Sequence, residues 1–195
     1  MDRWQIGMYA LALIFLSLVP CSDAHAERDW ALTLYSGRMT DANLTKTATF
    51  NFEFEDAYLM ALGVSRRLYT FQNYFDIEIE GQLAKYFGDQ DNWEFNLLAY
   101  FRWLLFPWDD YLDTSFAVGA GLSYATSVPA IEAKYYYEDT ARFLGALMFE
   151  FAFSLPDVPQ WSLVTGMHHR SGAGGLFSGV HGASNAWVIG IRYRF

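Results

Sequence analysis

A histidine and a serine that stand two positions apart, His169 and Ser171, are the side chains whose types and spacing could do chemistry. On a β-strand, residues i and i+2 lie on the same face, so the imidazole and the hydroxyl would be neighbours. A serine hydroxyl is a weak nucleophile until a base takes its proton, and histidine is the usual base near neutral pH. The pattern therefore suggests serine–histidine hydrolysis, provided that a third group nearby holds the histidine tautomer.

The same alternation predicts which way these side chains point. If the odd-numbered face of this strand contacts lipid, the pair on it contacts lipid too, while His168 and Arg170 turn inward. Asn185 lies two positions before Trp187 on the following strand, so both side chains share one face and we expect Asn185 to point outward beside His169. Its amide oxygen could then orient the imidazole. A catalytic pair that faces hydrocarbon suits an ester within a lipid. The apolar residues that share this face are Trp161, Leu163 and Met167.

Other interpretations of this region remain open. Histidine, serine and arginine also occur at the edge of an aromatic girdle without a catalytic role. A metal site formed by His168, His169 and His181 is a further candidate, but adjacent histidines on a strand point to opposite faces and no acidic ligand spacing supports it. The glycine-rich run 172–182 lacks the Lys-Ser/Thr ending of a phosphate loop, which favours a surface loop or a short helix.

The composition limits the class of protein. The chain has 195 residues, 53% of them apolar, and a formal net charge of −9. A chain this apolar can order itself, the acidic balance argues against a nucleic-acid partner, and the single Cys21 excludes a disulfide scaffold. The aromatic fraction of 19% is typical of girdles at a membrane interface.

Residues 1–26 have the features of a secretory signal peptide. Arg3 supplies a positive charge, Ile6–Val19 is an uncharged apolar stretch, and Ala24-His25-Ala26 matches an A-x-A cleavage site. The apolar stretch is short for a membrane-spanning helix. We therefore expect an exported chain, residues 27–195, that folds as one domain.

Alternation of apolar and polar residues dominates this exported chain. It predicts an all-β fold, an eight-stranded antiparallel transmembrane β-barrel. Most strands are long enough to cross a bilayer when tilted, and short turns alternate with longer loops. The predicted strands are 29–37, 57–67, 74–86, 92–105, 111–125, 141–155, 160–171 and 184–195.

The polar face of the strands predicts a filled interior. Eight strands enclose only enough room for side chains, and the polar face mixes carboxylates, arginines and small residues. A soluble β-sandwich or a lipocalin-like carrier also alternates, but its apolar face would point inward. The charged side chains predicted to fill the barrel are Asp76, Glu78, Glu80, Glu94, Arg102, Asp113, Glu150, Arg192 and Arg194.

Several short motifs add a family resemblance. They are Glu80-Gly81-Gln82-Leu83-Ala84-Lys85-Tyr86-Phe87-Gly88, Arg102-Trp103 with Phe106-Pro107-Trp108, and His168-His169-Arg170-Ser171 with Gly182-Ala183-Ser184-Asn185. Together they resemble the lipid A 3-O-deacylase family of outer-membrane β-barrels, in its acyloxyacyl hydrolase-like branch. The resemblance covers most of the exported chain. It implies an eight-stranded barrel that removes an acyl chain from the 3 position of lipid A, with Ser171 as nucleophile and His169 as base.

Two positions depart from the pattern of this family. Its acidic residue near the start of the last strand has no counterpart in 182–185, and Asn185 is the candidate substitute. The asparagine that follows the family's serine is Gly172 here. Backbone amides near Gly172 to Gly174 are the predicted substitutes for that oxyanion donor.

Three functions therefore remain as hypotheses. The first is an outer-membrane esterase with lipid A of lipopolysaccharide as substrate, outer-membrane lipid as its surroundings and no cofactor; a homodimer is left open. The second is a non-enzymatic barrel with a structural or surface-interaction role. The third is a secreted carrier, which would be soluble without detergent and would enclose an apolar interior.

Overall fold

The computed structural model describes residues 28–136 and 139–195, and the predicted signal peptide lies outside the described residues. Eight antiparallel strands pair in chain order, and the first also pairs with the last, which closes a barrel and confirms the predicted fold. The strands are β1 Trp30–Thr40, β2 Phe54–Phe71, β3 Phe75–Gly88, β4 Trp93–Trp103, β5 Asp113–Ala125, β6 Phe143–Ser154, β7 Trp161–Ser171 and β8 Ala183–Arg194. Two short helices, α1 Leu44–Ala48 and α2 Ala130–Tyr136, lie in connections.

Strand β2 is longer than the predicted 57–67 because a tight turn joins it directly to β3. The connection has three residues, 72–74, and Gln72 and Asn73 adopt left-handed φ angles of 46° and 63° at the centre of the turn. The Tyr74 N–H donates to the Phe71 carbonyl at 2.8 Å and closes the turn. Neither central position is glycine, so the sequence carries only a weak signal for this turn.

The barrel is polar inside and apolar outside, the reverse of a water-soluble domain. Along β4 burial alternates at every residue. Glu94, Asn96 and Arg102 are buried, whereas Phe95 and Leu97 are about half exposed, at 51% and 52%. Lipid can cover such an apolar outer face, as in transmembrane barrels.

A charged network fills the centre of the barrel. Arg102 lies 3.0 Å from Glu78 and 2.9 Å from Glu150, and Arg192 reaches Glu150 at 2.7 Å. The hydroxyl of Tyr35 also donates to Glu150, at 2.8 Å. Pairing and hydrogen bonding compensate for the hydration that buried charges lose. The hypothesis of a carrier with an apolar interior is therefore wrong for this chain.

Asp113 departs from the predicted filling of the barrel. It is the first residue of β5 and is exposed, and it lines an opening at the barrel end together with Arg67 and Arg194. By its position in β5 the side chain of Asp113 points toward the barrel interior. The residue lies so close to the barrel end that solvent reaches it there. The other predicted charged residues are buried, except for Arg194, whose side chain is 19% exposed and lies 2.8 Å from Glu78.

The two ends of the barrel differ in their connections. At one end β2–β3 and β6–β7 are joined by short turns. At the other, the long-loop end, the connections 41–53, 126–142 and 172–182 carry α1, α2 and the glycine-rich run. Within the part of the chain that the structure describes, no helix is long and apolar enough to cross a membrane.

Candidate functional site

Strands β7 and β8 carry the predicted site at the long-loop end. They pair antiparallel, with His169 opposite Asn185. His168 points into the barrel, where its Nε2 lies 3.2 Å from Nδ2 of Asn96. Since successive residues of a strand alternate, His169 and Ser171 face the outer wall, as parity predicts. His169 and Asn185 thus meet on one patch of that wall, which also includes Ser171; within the described chain no hydrogen bond joins the Ser171 hydroxyl to His169.

A chain of hydrogen bonds fixes the histidine in this patch. Nδ1 of His169 lies 2.8 Å from Oδ1 of Asn185, and Nδ2 of Asn185 donates to the Ala42 carbonyl at 2.6 Å. A carbonyl can only accept, so the amide nitrogen of Asn185 must face Ala42 and its oxygen must face His169. The amide oxygen in turn can only accept, so the proton sits on Nδ1 of His169. This leaves Nε2 of the neutral imidazole free to accept a proton.

A segment from the long-loop end covers the patch from outside. Residues 41–53, named here the cover segment, fold back over the outer wall of β7 and β8. The ring of Phe50 stacks on Trp187 with centroids 5.1 Å apart. As a result His169 is only 5% exposed and Asn185 1%, although both lie on the outward face. Ser171, further toward the long-loop end, stays partly exposed.

Local hydrogen bonds shape the cover segment. Asn43 caps α1 by accepting the Lys46 N–H at 3.0 Å, and the buried Thr47 hydroxyl lies 3.2 Å from that of Thr40 at the end of β1. The Thr47–Thr40 contact ties the segment to the barrel at the point where β1 pairs with β8. No periodicity in the sequence indicates that this segment covers His169.

An apolar groove lies between the cover segment and the outer wall. It has a volume of about 600 Å³. Met167, two residues before His169, and Trp187, two residues after Asn185, both line this groove. The groove therefore lies next to the patch that contains His169 and Asn185. The other large apolar residues that line it are Leu44, Phe50, Phe116, Phe149 and Phe151. Its size and lining suit a hydrocarbon chain.

A polar cleft of about 650 Å³ lies on the other side of the cover segment. Phe50 lines both the cleft and the apolar groove, and Ala183 in the cleft is the β8 partner of Ser171. Partial burial and the nearby Glu132 carboxylate raise the pKa of the Tyr136 phenol, so it remains a hydrogen-bond donor at neutral pH. The charged and polar residues that line the cleft include Asp41, Asn43, Lys46, Glu53 and Tyr135.

The glycine-rich connection after Ser171 provides fewer free amides than predicted. The Gly172 N–H donates to the Gly182 carbonyl at 2.9 Å, so it is occupied by backbone pairing. Ala173 and Gly174 follow with left-handed φ angles of 48° and 67°. Their amides remain the candidate oxyanion donors.

The histidines are too dispersed for a metal site. His168 points inward and His169 outward, while His181 is exposed in the connection and pairs with Asp139 at 3.2 Å. Among residues 28–136 and 139–195, no group of three or more His, Cys, Asp or Glu side chains could hold a metal ion.

Comparisons with known proteins relate the chain to others by its fold. No protein-family model and no curated protein sequence matches it. The solved structure of the outer membrane enzyme PagL is similar, with a TM-score of 0.57 and 9% identity, over 83% of this chain and 97% of that one. Neisserial surface protein A (NspA) gives a TM-score of 0.52 and 11% identity, over 88% of this chain and all of the other. Both likenesses show the architecture of small outer-membrane barrels.

Proposed function

We propose that the protein is an outer-membrane esterase that removes a 3-O-linked acyl chain from lipid A of lipopolysaccharide. Its signal peptide would be cleaved after Ala26, and residues 27–195 would insert as the barrel. The apolar outer face and the charged interior support a location within a bilayer.

The observation that carries the catalytic proposal is the hydrogen bond between His169 and Asn185 on the outer wall. Asn185 holds the proton of the neutral imidazole on Nδ1 and leaves Nε2 as a base for Ser171. An asparagine orients the base in the same way in cysteine–histidine–asparagine enzymes. In this proposal Asn185 takes the place of the acidic residue of a triad.

The reaction proceeds by acyl transfer to the serine. Nε2 of His169 takes the hydroxyl proton as Oγ of Ser171 forms a bond to the ester carbonyl carbon. The carbonyl oxygen becomes an oxyanion beside the amides of Ala173 and Gly174. The intermediate then expels the sugar oxygen, which receives the proton from His169 and leaves as an alcohol. Water then attacks the acyl-serine as His169 takes its proton, the bond between the acyl carbon and Oγ of Ser171 breaks, and His169 returns the proton to Oγ as the fatty acid leaves.

The two cavities beside the patch support a lipid ester as substrate. The apolar groove would take the acyl chain, and the polar cleft would take the sugar headgroup, with Phe50 at the boundary between them. The ester that joins the chain to the sugar would then lie at the depth of Ser171. The motifs around His169 and Asn185 support lipid A as the particular lipid, through their resemblance to the deacylase family.

The fold by itself is compatible with other functions. Of the two structures compared above, one is named as an enzyme and the other as a surface protein. The test is therefore chemical. Lipid A is extracted from cells that express the wild type or Ser171→Ala and is analysed by mass spectrometry. We expect lipid A that has lost one 3-hydroxyacyl group with the wild type only.

The control is that both proteins fold equally well in the outer-membrane fraction. Identical lipid A spectra from two folded proteins would favour the hypothesis of a non-enzymatic barrel. Recovery of the protein in the soluble fraction without detergent would instead contradict the membrane location.

A further inference from the structure

Glu132, at the long-loop end, forms hydrogen bonds inside the barrel with both strands of the candidate site, β7 and β8. It belongs to α2, in the connection between β5 and β6, and is fully buried. Its Oε2 accepts from Nη1 of Arg170 on β7 at 2.5 Å, and its Oε1 accepts from the Ser184 hydroxyl on β8 at 2.7 Å. One side chain therefore bridges the two strands.

The strand register places this bridge on the inner side of the barrel wall, next to the His169–Asn185 pair on the outer side. Arg170 and Ser184 are opposite each other in the β7–β8 ladder, and the next pair along the ladder is His169 and Asn185. The first pair points inward and the second outward, because side chains alternate. Glu132 thus holds together the pair of residues immediately behind the hydrogen bond that orients His169.

Arg170 is itself fixed to the rest of the long-loop end. Its guanidinium donates to the Ser123 hydroxyl on β5 at 3.0 Å and to the carbonyls of Ala141 and Arg142 at 2.8 and 2.7 Å. The carboxylate of Glu132 therefore has a rigid partner, and the position of Ser184 relative to Arg170 is set by one group. A rigid bridge of this kind limits the relative motion of β7 and β8.

We infer that Glu132 is a positioning residue, which acts through Arg170 and Ser184 to keep His169 and Asn185 in hydrogen-bonding register. The effect on turnover rests on the proposed esterase function, whereas the effect on the hydrogen bond does not. No group of Glu132 needs to touch the substrate, which lies on the other side of the barrel wall.

The first test replaces the carboxylate by an amide of the same shape, Glu132→Gln. The amide keeps one acceptor oxygen for Arg170 and places an NH2 group, which can only donate, against the Ser184 hydroxyl. The bridge then loses its negative charge, and the bond to Ser184 persists only if that hydroxyl turns from donor to acceptor. Protein labelled with ¹⁵N-histidine in detergent micelles reports the Nδ1–H resonance of His169, assigned with His169→Gln. We expect this resonance to shift or broaden in Glu132→Gln. We expect turnover of the lipid ester to fall by on the order of 10- to 100-fold, with KM little changed, because misplaced catalytic groups slow the chemical step.

The matched control is Glu55→Gln. Glu55 is also a carboxylate that binds α2, through Lys134 at 2.9 Å and Tyr135, but these partners lie outside β7 and β8. It should leave the resonance and kcat unchanged, whereas KM is open to change because Tyr135 lines the polar cleft. An equal change in both variants would mean that loosening α2 is sufficient, and it would overturn the proposed role of the bridge.

A second variant, Ser184→Ala, breaks the link to β8 without leaving a buried charge unpaired. We expect a smaller change of the same kind, and less than additive effects when it is combined with Glu132→Gln. Folded variants that retain the wild-type resonance and turnover would overturn the inference. If the wild type itself is inactive on lipid A, the proposed function fails, and the histidine resonance still decides the role of Glu132.

Discussion

The imidazole of His169 on β7 and the amide of Asn185 on β8 form a hydrogen bond of 2.8 Å across two paired strands. The bond lies on the outward face of the barrel, yet the cover segment keeps both residues almost completely from solvent. A hydrogen bond that is shielded in this way is stronger than one exposed to water. The hydrogen bond and the cover segment therefore fix the orientation of the imidazole.

Asn185→Ala should lower esterase turnover by on the order of 100-fold, because Nδ1 of His169 loses the partner that sets its tautomer and orientation. Turnover of lipid ester in detergent micelles measures the effect. Gln160→Ala, at the opposite end of the barrel, serves as the control. Equal turnover of wild type and Asn185→Ala would contradict the role given to the asparagine.

Phe50→Ala should raise KM for long-chain lipid esters several-fold while kcat changes little. Phe50 is 74% exposed, but it stacks on Trp187 and borders the apolar groove, so its loss opens the groove to water. Leu176→Ala is the matched control, since Leu176 is 78% exposed and lies in another connection. A KM that does not depend on Phe50 would argue against binding of the acyl chain in this groove.

Arg102→Met should destabilise the barrel by about 1–3 kcal/mol, because Glu78 then keeps only the partly exposed Arg194 as its positive partner and Glu150 keeps only Arg192. Urea unfolding of the barrel in lipid vesicles measures the free energy of unfolding. Arg66→Met is the control, since Arg66 is exposed and lies 5.4 Å above the ring of Trp30. Similar losses in the two variants would show that the buried position of the charge has no special importance.

Gln72→Asn should stabilise the barrel by about 0.5 kcal/mol, because asparagine tolerates the left-handed φ at this turn better than glutamine does. The same unfolding experiment checks this small gain. Gln160→Asn, in another connection, should bring none. A loss of stability in Gln72→Asn would indicate that the glutamine side chain contributes contacts of its own.

The strands and the orientation of the site could be predicted because both follow from a period of two residues. The alternation from Phe75 to Leu83 shows which face is apolar. Once β7 and β8 are adjacent and antiparallel, parity alone puts His169 and Asn185 on one face. The exact pairing depends on the length of the connection 172–182, and here it brings the two side chains opposite each other.

The parts of the site that come from connections could not be predicted in the same way. Asn185 binds Ala42, which is 143 positions away, and Glu132 binds Ser184, which is 52 positions away. Such contacts depend on how irregular segments fold back onto the barrel, and no repeating pattern records that. The exposure of Asp113 has a similar cause, because alternation gives the direction of a side chain but not its depth.

The ion pairs that occupy the centre of the barrel restrict the routes open to small molecules. Arg102, Glu150 and Arg192 are joined across the lumen, so within the described strands their side chains narrow any passage for solutes along the axis. Any lipid that reaches the outer wall must arrive by lateral diffusion in its own leaflet, and a liberated fatty acid would depart sideways into the same leaflet. The rate at which neighbouring lipids exchange around the barrel would then set an upper limit on the rate of the proposed ester hydrolysis.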